Sequence, residues 1–249
     1  MVDRLGPYLL GPNNTPENGI YRADAIELMS VLPKGSISAI LTDPPYFLPA
    51  AHYQTRKQWP RSLADLSLLE HFFDGVFAES RRVLLPTGLM AVFCDGQSYP
   101  VMYTKLYPLF DRLSDVVWDK GKIGMGRGIR RQHEWILMGL PAGYEWHGWE
   151  PSVILTAPVR SEERYHPAEK PVDLMQRLCG LVTRTDPIVL DPFCGGGTTL
   201  VAAKALGMRY LGCDIDPQYV ETARERVRQT QMPLFVLEHE QVGMTLGGD

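Results

Sequence analysis

The 249-residue chain is short of the features that mark membrane, secreted and metal-stapled proteins. Its apolar runs all fall short of the roughly 18 residues that suggest a membrane-spanning helix. The opening "MVDRLGPYLLGPNN" lacks both the zones of a secretory signal and the Arg-rich amphipathic character of a transit peptide, so a cytoplasmic protein is expected. Only four cysteines occur, Cys94, Cys179, Cys194 and Cys213. With no CxxC pair and no His at zinc-finger spacing, they read as reduced structural thiols, and no metal site is expected. A large excess of one charge sign is lacking too, since 25 basic against 29 acidic residues leave a net charge of -4. That balance excludes a bulk polyanion binder, whereas a basic patch on one face still suits DNA or RNA. Neither an internal repeat nor a low-complexity linker is visible, and one domain over residues 1–249 is the simpler count.

What the chain does have is a regular alternation of strand-like and helix-like segments, which predicts an α/β fold with a mainly parallel sheet flanked by helices. "GIYRAD" (19–24) reads as a strand, "AIELMSVLP" as a short helix stopped by Pro33, and "SISAILTD" (36–43) as a strand. Leu69, Phe72, Phe73, Val76 and Phe77 recur at helical spacing between Leu66 and Leu84, ahead of an "LPTG" turn. "LMAVFCD" (89–95), "SDVVWDK" (114–120) and "HEWILMG" (133–139) read as strands, the last two separated by the Gly- and Arg-rich "GKIGMGRGIRRQ". A loop rich in Pro, Trp and Glu leads to the amphipathic helix "PVDLMQRLCGLVT", the apolar strand "PIVLD" (187–191), a glycine turn opening a helix that ends at Gly207, the strand "YLGCDID" and the helix "YVETARERVRQ".

The most informative stretch is "VLDPFCGGGTTLVAAKALGMRYLGCDID". A strand, a glycine turn, a helix of small residues and a second strand ending in an acid make a βαβ unit of the kind that binds a nucleoside. Gly195 and Gly197 let a ligand approach the backbone, and the free amides at the helix start favour an anionic group. Asp214 ends the second strand, where a carboxylate can accept from both hydroxyls of a ribose. A phosphate-binding loop would need a lysine where Thr198 and Thr199 stand, and a dinucleotide fingerprint would need a glycine where Leu200 stands. A cofactor with a ribose and a carboxylate but no phosphate fits better; the rival is a helix-capping turn with no ligand.

"DPFCGGGTT" resembles the S-adenosylmethionine loop of the amino-group DNA methyltransferases, where "DPFxGSGTT" is usual. Gly196 stands where that family commonly has Ser. "HPAEKPVDLMQRL" (166–178), "YRADAIELMSVLPKGSISAILTDPPY" and "GIRRQHEWILMG" extend the resemblance over most of residues 20–228. "DPPY" precedes the cofactor loop, an order similar to the β-type circular arrangement. The resemblance implies a Rossmann-like, seven-stranded, mainly parallel methyltransferase sheet with one antiparallel strand, helices on both faces and S-adenosyl-L-methionine as cofactor.

It also implies roles for individual residues. Asp43 and the carbonyl of Pro44 would accept the hydrogens of an exocyclic amine, so that the nitrogen lone pair is released from the ring for attack on a methyl sulfonium. Pro45 would hold that carbonyl rigidly. Tyr46 would stack on a base extruded from the duplex, with Phe47 extending the wall. Asp24 and Ala25 resemble an element beside the cofactor adenine, with helix N-capping as the rival for Asp24. Phe193 is a candidate for packing on the adenine or for the core. "HPAEK", with His166 and Lys170, resembles the segment closing over the methionine end, where Lys170 would reach the carboxylate or lie solvated. Thr198 and Thr199 either cap the helix or bind that carboxylate, and Asp191 orients the amino end or the loop itself. Asp216 reads as the cap of the helix beginning at Pro217.

Two basic clusters offset the acidic total and are the candidate DNA contacts. Arg56, Lys57 and Arg61 follow the catalytic motif, and Lys120, Lys122, Arg127, Arg130 and Arg131 lie in the glycine-rich stretch. DNA-contacting insertions are expected near 47–65, 119–132 and 140–165. The interval from Leu140 to Arg164, with Trp146, His147 and Trp149, is short for a recognition domain. Readout shared with the basic loops or with a second subunit, and so a homodimer, is the alternative. "QMPLF", through Gln231, Leu234 and Phe235, resembles a sliding-clamp peptide or reads as a final strand. The expected activity is site-specific methylation of adenine N6 in double-stranded DNA by base flipping, as part of a restriction-modification pair or as an orphan. Cytosine N4, a silent cofactor-binding regulator, and an RNA or protein-glutamine methyltransferase are the rivals.

Overall fold

A computed structural model describes residues 18–45, 66–124, 127–144, 151–166, 168–182 and 184–233. Four of the segments that read as strands become β1 (Gly19–Arg22), β2 (Ile37–Thr42), β7 (Ile188–Asp191) and β8 (Arg209–Asp214). Between them in the chain lie β3 (Leu84–Cys94), β4 (Arg112–Asp119), β5 (His133–Leu140) and β6 (Val153–Leu155). Their order across one sheet is β1-β8-β7-β2-β3-β5-β4-β6. β5 runs antiparallel to both β3 and β4, while the other neighbouring pairs are parallel. Seven strands match the expected sheet, and the three-residue β6 adds an eighth at the edge beside β4.

β2 and β7 are buried along their whole length, which is why both read as continuous apolar runs rather than as alternating strands. On one face, Ile40, Met90, Val92 and Leu190 pack against α1 (Ala25–Val31), α2 (Leu66–Val83) and α3 (Tyr99–Leu106) through Leu28, Met29, Phe73, Phe77 and Met102. On the other, Ala39, Leu41, Ala91 and Val189 meet α4 (Val172–Cys179) and α5 (Thr198–Ala205) through Leu174, Leu178, Ala202 and Ala203. The last helix, α6 (Pro217–Gln229), closes a smaller cluster with Ile20, Leu200 and Val220.

Two local expectations differ from the structure. "LPTG" lies inside β3, which starts at Leu84 and pairs with Ile37 before a register shift between Ile37 and Ala39. A short helix, α3, begins after Ser98 with Pro100 in its first turn, where proline's missing N–H costs nothing. All four cysteines are buried and free, and no described helix is long and apolar enough to cross a membrane.

The strand order turns at one place. From β2 the chain proceeds outward through α2 to β3, and from β7 it proceeds the other way through α5 to β8, while β2 and β7 themselves are neighbours. Such a reversal opens a crevice at the carboxyl ends of the two strands, the usual ligand position in open α/β sheets.

Candidate active site at the β2 and β7 strand ends

The crevice lies between two chemically distinct ends. β2 finishes at Thr42 and delivers the half-buried Asp43, the buried Pro44 and the half-buried Pro45. β7 finishes at Asp191 and delivers the glycine turn. They are tied together beneath the crevice, where Thr42 Oγ1 donates to Asp191 Oδ1 over 2.7 Å. Asp191 also accepts from Thr199 Oγ1 at 2.6 Å and from the Phe193 amide at 3.1 Å. Burial pushes its carboxyl up to about 6 against the opposing hydrogen bonds. Asp191 thus holds the loop through the Phe193 amide and Thr199.

The glycine turn has the backbone that its sequence requires. Gly195 and Gly197 adopt φ of 47° and 81°, values that side chains with a Cβ rarely take. At Gly197 a Cβ would also fall 2.7 Å from that of Ala223 on α6, so the turn presses directly on that helix. The Gly195 amide donates to Asp214 Oδ2 at 3.1 Å, and Asp214 Oδ1 accepts from the Asp216 amide at 2.9 Å. Burial raises the Asp214 carboxyl above its ordinary range. Gly196, the departure from the family pattern, has a physical reason here, because a Cβ would sit 3.1 Å from Arg226 Nη1 and 3.3 Å from Tyr165 Cβ. Arg226 instead donates to the Gly196 carbonyl at 2.5 Å and to Glu169 Oε1 at 2.7 Å, and its guanidinium lies 4.4 Å from the Tyr165 ring centre.

Around this turn the structure gathers the other expected cofactor residues. His166 lies edge-on to Tyr219, with ring centres 4.4 Å apart, and its carbons would approach a Cβ on Gly195 to 3.4 Å. Burial lowers its imidazole below the usual range, with Asp214 opposing. Phe193 is half-buried and meets Phe72 edge-on at 5.8 Å. Asp24 caps α1 by accepting from the Ile26 amide at 2.8 Å and the Glu27 amide at 3.3 Å; Ala25 is buried behind it. Asp216 likewise caps α6.

Three of the expected side chains contact the protein's own acids. Thr198 and Thr199 do not cap α5, where the cap is Gly197, and their buried hydroxyls donate to Glu169 and Asp191. Lys170, expected at a cofactor carboxylate or in solvent, is buried and donates to Asp43 Oδ2, with Glu134 Oε2 at 3.1 Å. The two carboxylates balance the charge of this desolvated ammonium. Glu134, Glu169 and Arg226 were not singled out by sequence; the one available signal is a glutamate inside the otherwise apolar "HEWILMG".

Of the candidate DNA contacts, Lys122, Arg127 and Arg130 project into solvent. Arg131 is partly committed, donating to Asp95 at 2.6 Å. Their loop is held at its base by the Lys120 amide to the Gln132 carbonyl at 3.0 Å and by Gln132 Nε2 to Asp119 Oδ1 at 2.9 Å. Tyr46, Phe47, Arg56, Lys57, Arg61, Trp146, His147, Trp149, Leu234 and Phe235 lie outside the described residues.

Residues 144–225 match the model of a family described as DNA methylase. The Type II methyltransferase M.HinfI of Haemophilus influenzae is 28% identical over 247 residues, spanning 85% of this chain and 68% of its own. A DNA modification methylase from Thermus thermophilus, TTHA0409, superposes with a TM-score of 0.66 at 25% identity, covering 86% of this chain and 95% of that one. A structure of M1.HpyAVI in complex with SAM superposes with a TM-score of 0.62 at 26% identity, covering 84% and 98%.

The raised Asp191 carboxyl has a measurable consequence. An acid whose folded pKa lies above its unfolded value stabilises the fold below the unfolded value and loses that contribution as pH rises through the folded one. With Asp191 at about 6, wild type should gain about 1.4 kcal/mol relative to Asp191→Asn on going from pH 7.5 to pH 5. Urea unfolding at the two pH values measures the difference.

Proposed function

We propose that the chain, which resembles the N6/N4 amino-group DNA methylases, methylates adenine N6 at a specific sequence in double-stranded DNA, with S-adenosyl-L-methionine as the methyl donor. The observation that carries the reading is the meeting of Asp43 and Pro44 with the glycine turn at one strand-order reversal, joined by Thr42 and Asp191. Neither half would suffice alone. A carboxylate and a rigid carbonyl make an acceptor pair, and a glycine turn ending in Asp214 makes a nucleoside seat.

The residues present fit the cofactor. Gly195 and Gly197 leave the backbone open where a Cβ would strain it, the first amides of α5 offer positive charge, and Asp214 stands at the end of β8 at the position suited to a ribose. When bound, S-adenosylmethionine supplies an electrophilic methyl group. The protein's own task is to prepare the nucleophile. Asp43 and the Pro44 carbonyl accept the two amine hydrogens, which favours a more tetrahedral nitrogen with a lone pair available for attack. Pro45 limits the freedom of that carbonyl, and Tyr46 stacks on the flipped base. Adenine is favoured over cytosine because "DPPY" is the form of this motif usual for adenine, whereas Ser at the first position is commoner for cytosine.

Lys122, Arg127 and Arg130, with Arg56, Lys57 and Arg61 after the catalytic motif, supply the positive surface for the phosphate backbone. For partners, the reading keeps a second copy of the chain that shares sequence readout and a sliding clamp engaged through Gln231, Leu234 and Phe235.

Replacing Asp43 by Ala should lower radiolabelled methyl transfer to DNA by about a thousandfold while cofactor binding is retained; near-normal turnover removes Asp43 from the chemistry. Arg127→Glu combined with Arg130→Glu should weaken DNA binding and flatten the slope of log affinity against log salt by about two. Unchanged affinity at several salt concentrations excludes the loop from the interface.

A further inference from the structure

Lys170 is a buried cation of the crevice, enclosed by carboxylates and aromatic rings. Its side chain is 7% exposed. Asp43 lies on one side and Glu134 on the other, at 3.1 Å, while Phe93 and Trp118 flank the ammonium with ring centres at 4.9 and 5.9 Å. Glu134 in turn pairs with Lys120 at 2.5 Å, and Lys120 lies 4.9 Å from the Trp118 ring centre. The four groups form an alternating row, Asp43, Lys170, Glu134, Lys120, delivered by four different parts of the fold: the end of β2, the segment before α4, the start of β5 and the end of β4. They sum to zero charge.

Such a row is poor evidence for stability, because desolvating buried ions offsets much of their attraction. Its geometry makes sense for a carboxylate that must stay ionised and correctly turned. We propose that Lys170 and Glu134 are positioning residues for Asp43: Lys170 fixes one carboxylate oxygen so that the group meets the amine in a single orientation, and Glu134 divides the ammonium so that Asp43 remains a strong acceptor. The inference rests on the reading of Asp43 as the amine acceptor.

The division of labour follows from charge. A protonated Asp43 would offer a donor where an acceptor is needed. Lys170 opposes that protonation, while the negative charges of Glu134 on β5 and Asp191 on β7 favour it; the Cys94 thiol on β3 is pushed far up by burial and stays neutral. Burial works against the Lys170 charge, but the two carboxylates outweigh it and raise its ammonium above the ordinary range. For Glu134, burial is likewise outweighed, by Lys170 and Lys120, and its carboxyl lies below the ordinary range. A cation held by both neighbours is a fixed part of the crevice rather than a mobile surface lysine.

The test compares wild type, Lys170→Met and Glu134→Gln in single-turnover methylation at saturating DNA and S-adenosylmethionine, across pH, with cofactor affinity measured separately by calorimetry. Lys170→Met should slow the chemical step by about a hundredfold, move its acid limb to higher pH, and leave the cofactor Kd within about threefold of wild type. Glu134→Gln removes an anion, so its rate should fall while its acid limb moves to lower pH. Opposite displacements of one limb are not produced by general loosening of the fold, and the second variant decides the matter if the first does not fold. The proposal is overturned if Lys170→Met keeps the wild-type rate, if it loses cofactor affinity while the rate at saturation is intact, or if both variants move the limb the same way. Absence of methyl transfer to DNA by wild type would instead overturn the functional reading, and this inference with it.

Discussion

The hydrogen bond from Thr42 to Asp191 is the contact on which the crevice depends. It spans 149 positions in the chain and joins the ends of two neighbouring, wholly buried strands. One of those ends carries Asp43 and Pro44, the other the glycine turn. Asp191 also holds Thr199 at the start of α5 and the Phe193 amide within the turn, so one carboxylate sets the distance and angle between the two halves of the site. A buried charge so placed is costly, and its retention beneath a crevice is what a pre-set geometry requires.

A second layer of ions surrounds this brace. Glu169 and Arg226 fasten the segment before α4 to the glycine turn and α6, and Tyr165 covers the guanidinium. The row from Asp43 to Lys120 does the same between β2 and the antiparallel β5. Both pairings reach across the carboxyl edge of the sheet rather than through its core. The apolar clusters hold the layers together, while these ions orient the loops that the layers present.

The sequence was most legible where structure is local. The unit from β7 through α5 to β8 was readable because its strand, turn, helix and acid follow within 27 residues, Ile188 to Asp214, and the φ values at Gly195 and Gly197 match the reason glycine was expected there. The three-residue β6 was missed because so short a segment has no period of its own and is recruited by pairing with β4. α3 was missed because its mixed aromatic and polar residues between Ser98 and Leu106 give no clear helical stripe. The partners of Lys170, Thr198 and Thr199 were not legible for another reason. Their partners lie 127, 29 and 8 positions away, and no spacing rule shows which carboxylate a given ammonium or hydroxyl will meet. Motif resemblance placed these residues at the site, and only the fold disclosed that they are occupied with the protein's own acids.

The central claim is that the acceptor pair at the end of β2 receives the exocyclic amine of adenine. The most direct measurement is enzymatic digestion of duplex DNA after incubation with the protein and methyl-labelled S-adenosylmethionine, followed by chromatographic and mass identification of the labelled nucleoside. The account predicts label in N6-methyldeoxyadenosine. Label in N4-methyldeoxycytidine would contradict the assignment of the base, and label on a ring carbon, or none in DNA, would contradict the chemistry assigned to Asp43 and Pro44.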